Sequence, residues 1–156
     1  MENDREEPIE RNRGPLRLPK LRRWTVYYVS LACWTTGALW LIFRYFLRTE
    51  GKFGYKAHPL ESWWLTLHAG FSFWVIWLFG LLWSIHIVRG WNANWRRWSG
   101  GFLTGFAFIL TVTGVGLYYL PQNWRAWSSL IHWIVGLATL GIFLIHWLSK
   151  SLPKRT

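Results

Sequence analysis

Acidic residues are scarce in this chain. Seven Asp and Glu stand against eighteen Lys and Arg in 156 residues, for a formal charge of +11. Cysteine is nearly missing. Cys33 alone cannot close an intrachain disulfide, and no Cys-x-x-Cys-His offers covalent haem attachment. Flavin and nicotinamide motifs are absent, and no convincing internal repeat occurs. The first 23 residues lack the form of a cleaved signal peptide, being too long and too acidic ahead of an apolar run of full span length. The positive charge excludes little by itself. Its placement argues against nucleic acid, because Lys and Arg gather at the ends of apolar segments, where they face lipid headgroups.

What the chain has in abundance is apolar and aromatic surface: 52% hydrophobic, 20% aromatic, with 15 Trp. An average soluble domain is far from this. Four stretches reach the roughly 20 residues that a bilayer core of about 30 Å requires. They run over 24–43, 63–88, 102–120 and 127–148. Trp and Tyr cluster at their ends, as at membrane interfaces. The expected fold is an all-α integral membrane protein, a four-transmembrane-helix up-down bundle. Residues 24–149 form this domain, 1–23 a flexible basic tail and 150–156 a second tail. Thirteen basic residues fall on the side of the two termini and five on the other. The positive-inside rule and the even span count both put the termini in the cytoplasm, in a bacterial inner membrane.

Histidine carries the chemistry. Four of the five lie in the second and fourth spans: His68 and His86, eighteen residues apart, then His132 and His146, fourteen apart. At about 3.6 residues per turn, eighteen is about five turns and fourteen just under four. Each pair therefore shares a face of its helix. Both spans run in the same direction, so His68 is expected to meet His132 near one membrane face, and His86 to meet His146 near the other. Ionisable groups in a span mark function. Two imidazoles gripping from opposite sides suit haem b, and bundles build such sites from facing helices. The spacings conflict, since eighteen residues rise about 27 Å and fourteen about 21 Å. Relative tilt, a kink or a π-bulge in the second span, or a steeply tilted haem would reconcile them; otherwise one couple alone holds haem. Arg44 and Arg89 stand where they would neutralise haem propionates, or snorkel to headgroups. Glycines in the second, third and fourth spans suit either a flat group or close helix packing.

The stretches "LH" and "SIH" at the ends of the second span, "SGGFLTGFAFILTVTGVGLYYL" and "LIHWIVGLATLGIFLIHW" carry a resemblance. Over residues 60–150 the chain resembles the small four-helix di-haem b-type cytochromes, including the membrane cytochrome b subunits of formate dehydrogenases, thiosulfate reductases and nickel–iron hydrogenases. The resemblance implies that His132 and His146, and with them His68 and His86, are axial metal ligands. Several of these families take a ligand from the first span, which here has no histidine.

The expected function is electron passage across the bilayer between a quinone pool and a partner redox subunit, of flavoprotein, iron–sulfur or cytochrome c type. The chain would serve as the electron-transfer subunit of a larger hetero-oligomeric complex in membrane lipid. Expected cofactors are two haem b groups and a quinone. His58 and Glu61, in the loop that leads into the second span, are candidates for accepting quinol protons, or else an ordinary loop histidine and a helix-start carboxylate. The alternative is a haem-free structural or assembly subunit of a membrane complex.

Overall fold

The computed structural model describes residues 18–51, 54–93 and 97–148. Residues 1–17 of the expected tail, and the tail from 150, lie outside them. The rest of the first tail is helical from Lys20 onward. Five α-helices, one π-helical segment and a two-stranded hairpin follow in order: α1 Lys20–Tyr45, β1 Thr49–Gly51, β2 Gly54–Lys56, α2 Pro59–Leu82, the π segment Trp83–Val88, α3 Arg89–Asn92, α4 Arg97–Tyr119 and α5 Gln122–Leu148. Four uninterrupted helical stretches, with α2, the π segment and α3 counted as one, are long and apolar enough to cross a membrane, at mean hydropathy 1.5 to 1.9.

Local chemistry sets the boundaries. Pro59 occupies the first turn of α2, where its missing N–H costs nothing, and His58 Nδ1 accepts the Leu60 N–H at 3.1 Å. The Pro121 carbonyl accepts from the Trp124 and Arg125 N–H groups as α5 begins. The small hairpin between α1 and α2 was not expected from the sequence. It pairs Thr49 with Lys56 and Gly51 with Gly54. Gly54 sits at φ +112°, a backbone state that side chains disfavour.

The helices pack as two antiparallel pairs, α1 with α2 and α4 with α5. The register of the first pair is set by Arg44 against Glu61, Gly37 against His68 and Cys33 against Ser72. In the second, Gly116 faces Ser128, Thr113 faces His132 and Ser99 faces His146. A methyl on Gly116 would lie 2.8 Å from Ser128 Oγ, so glycine is what allows this approach. Packing is inverted relative to a water-soluble core. Leu78 is the one buried large apolar side chain among the described residues, beside buried Gly116, Thr36, Glu61 and Ser128. Large apolar side chains line the outside, as a lipid surround would favour.

The two pairs meet chiefly along α1 and α5. Trp34 Nε1 donates to the Gly136 carbonyl at 3.1 Å, and Tyr27 lies edge-on to Phe143 and Trp147. Trp34→Phe removes the hydrogen bond and keeps most of the ring. Interhelical hydrogen bonds in bilayers average about 0.6 kcal/mol and reach about 1.7 kcal/mol. A loss within that range is expected in reversible unfolding from mixed micelles.

Candidate functional site

The structure brings the four span histidines together in two couples. The His68 and His132 ring centres are 6.2 Å apart with the planes at 85°, and those of His86 and His146 are 6.5 Å apart at 87°. All four side chains are half-buried. Outside these couples the pair α1 and α2 contacts the pair α4 and α5 mainly through α1 and α5.

The mismatch between eighteen and fourteen residues, about 6 Å of rise, is met in part by the backbone. His86 lies within the π segment Trp83–Val88, "WSIHIV". A π turn takes up about one residue more than an α turn, which removes about 1.5 Å of rise and about 100° of rotation. The second span is therefore not the straight helix on which eighteen residues make whole turns. His86 meets His146 from a rotated position.

Each couple rests on hydrogen bonds to neighbouring helices. His68 Nδ1 lies 2.9 Å from the Cys33 carbonyl, which can only accept, so Nδ1 carries the proton. Thr113 Oγ1 donates to the Ile109 carbonyl at 2.7 Å and lies 2.9 Å from His132 Nδ1, so its oxygen accepts the Nδ1 proton. In neutral imidazole the other nitrogen, Nε2, then keeps the lone pair. The first couple therefore consists of two rings that each offer an Nε2 lone pair, and two acceptors cannot hydrogen-bond to each other. In the second couple, Ser99 Oγ stands 2.9 Å from His146 Nδ1.

Glycine backs three of the rings. A methyl on Gly37 would lie 2.9 Å from both Cε1 and Nδ1 of His68. One on Gly114 would lie 3.4 Å from His132 Cε1, and one on Gly100 3.9 Å from His146 Cε1. The sequence singled out neither Gly37, the Cys33 carbonyl nor Ser99. Thr66, close to His68 in sequence, turns its Oγ1 back to the Ser62 carbonyl and away from this role.

The cofactor expectation, two haem b groups and a quinone, is corrected here. Among the described residues no three His, Cys, Asp or Glu side chains converge where they could hold a metal ion. The chain builds couples, and a couple supplies two donors, short of the four of a protein-built structural site. The residues expected beside those cofactors have other engagements. Arg44 Nη1 holds Glu61 Oε1 at 3.2 Å. His58 caps α2, with its ring against Phe43. Arg89 lies exposed just after the π segment. His58 and Glu61 do line one pocket, of about 350 Å³.

Comparison with protein-family models, with curated proteins and with solved structures finds no match for the chain.

Proposed function

We propose that this chain is the electron-transfer membrane subunit of a larger redox complex, with its two imidazole couples as the stations of the path. The reading agrees with the resemblance to membrane cytochrome b subunits. The observation that carries it is the spacing of the rings. With metal–nitrogen bonds of about 2.0–2.1 Å and about 1.1 Å from ring nitrogen to ring centre, two imidazoles on opposite sides of one ion have centres about 6.3 Å apart. The couples stand at 6.2 and 6.5 Å. Each would supply two opposed nitrogen donors, His68 with His132 and His86 with His146. Any further donors to such an ion would come from outside the His, Cys, Asp and Glu side chains among the described residues.

The orientation of the subunit rests on charge. Thirteen basic residues lie on the side of the termini and five on the other, which favours cytoplasmic termini in a bacterial inner membrane. Electrons would pass between a lipid-soluble carrier and a partner redox subunit.

The test is electron passage through a sealed bilayer. Vesicles containing the chain and loaded with ferricyanide are exposed to external dithionite, which does not cross lipid. Bleaching of the trapped ferricyanide, well above protein-free vesicles, is the expected result. Colourless, metal-free protein that folds and passes no electrons would return the chain to the structural-subunit alternative.

Ring orientation gives a second test. Metal-bound histidines depend on the partner of the other ring nitrogen, and losing it costs about 10–100-fold in metal affinity. Thr113→Val keeps the shape and removes the acceptor for His132 Nδ1. It is expected to weaken metal retention at the first couple by that factor in chelator competition, with the second couple unchanged.

A further inference from the structure

Glu61 is a buried carboxylate with one oxygen unused. The residue is 9% exposed. Oε1 is held by Arg44, while Oε2 is buried and has no hydrogen-bond partner. Leaving a buried charged acceptor unsatisfied is unfavourable, and such atoms call for an occupant. Glu61 forms part of the wall of the 350 Å³ pocket between the end of α1 and the start of α2, with Trp40, Ala57, Pro59 and Leu65 as apolar walls.

We propose that this pocket binds an anionic phospholipid whose headgroup carries a free hydroxyl, with the hydroxyl donating to Glu61 Oε2. Three observations select this chemistry. Arg44 already balances the carboxylate charge, so the empty position asks for a neutral O–H donor and not for a cation. Arg44, 46% exposed, reaches the pocket wall through Glu61, and the exposed Arg48 donates its Nε to the Arg44 carbonyl, so two guanidinium groups lie at this end of α1, where a phosphate could meet them. The pocket lies at the end of two helices apolar enough to cross a membrane, one turn from the exposed Trp63 in sequence, where an interface between headgroups and chains is expected. Phosphate at the rim, hydroxyl on Glu61 and acyl chain along Trp40 and Leu65 would satisfy all three. The site is independent of the histidine couples and stands or falls without them.

The test compares two lipids that differ in the headgroup hydroxyls. Delipidated full-length protein is titrated with phosphatidylglycerol and with phosphatidylmethanol, which is equally anionic and has no hydroxyl, and bound lipid is counted by native mass spectrometry. Phosphatidylglycerol is expected to bind about tenfold tighter or more, as a hydrogen bond to a charged group implies. Glu61→Gln is expected to shrink that preference, and Arg44→Gln with Arg48→Gln to weaken both lipids. Equal affinity of the wild-type protein for the two lipids, or no binding of either, overturns the proposal. So does a preference that Glu61→Gln leaves intact. Should the variants fail to fold, the wild-type comparison still decides.

Discussion

On the proposed reading, replacing His132 with Ala is expected to empty one station and leave the other. The loss follows from the donor count. The first couple offers two nitrogens, and His68 alone would hold an ion by a single bond. Among the described residues no three His, Cys, Asp or Glu are grouped to hold an ion without it. The second couple lies fourteen residues further along α5 and is supported by Ser99 on α4, so it keeps its own partners. His132→Ala should therefore bind half the metal of the wild-type chain and show half of any reversible redox absorbance change. His146→Ala should lose the other half, and the double variant should lose both. The fold should survive, because contacts that involve no ring, such as Arg44–Glu61, Cys33–Ser72 and Gly116–Ser128, also hold the antiparallel pairs. Circular dichroism alongside metal analysis separates a lost ligand from a lost structure. Equal metal in the single and double variants would place the ion elsewhere.

Gly37→Ala is expected to disturb the same station from the far side of the ring, without touching a donor. The added methyl would stand 2.9 Å from two atoms of the His68 imidazole, closer than carbon contacts permit. Either α1 and α2 separate or the ring swings. Both moves break the hydrogen bond from His68 Nδ1 to the Cys33 carbonyl one turn earlier. Overpacking of this kind costs about 1–3 kcal/mol of stability. The lost ring partner should weaken metal binding at this couple by about 10–100-fold. Gly114→Ala meets His132 at 3.4 Å and should have a smaller effect, and Gly100→Ala meets His146 at 3.9 Å and should be near neutral. The ordering is the informative part. Chelator competition across the three variants should rank them by these distances, and a flat series would show that the rings are not packed as described.

The sequence disclosed the long-range pattern and concealed the local support. Four apolar stretches and four histidines at matched ends of two like-directed spans were enough to anticipate the helices and both couples. The unequal spacing of those histidines exposed a geometric conflict, and a π-bulge in the second span was one of its expected remedies. Its position around His86 could not be read, because "WSIHIV" has no proline or glycine to mark it. The supporting groups were harder to find. The Cys33 carbonyl is main chain and leaves no side-chain signal. Gly37 sits in a span without histidine, and nothing local ties it to an imidazole on α2. Ser99 lies in "WSGG", at the start of α4, where serine reads as an ordinary helix-end residue. The reach of Arg44 to Glu61 across the hairpin loop was likewise hidden, since seventeen residues separate two charges that each suit a membrane boundary on their own.

The central proposal is that each imidazole couple would hold one metal ion through opposed nitrogens, and metal stoichiometry tests it most directly. Full-length protein is purified in detergent or nanodiscs, and its metal is counted per chain, alongside the variant in which His132 and His146 are both Ala. Two ions per wild-type chain and none in the folded double variant are the expected result. A folded wild-type protein without metal, or a double variant that keeps its metal, contradicts the account.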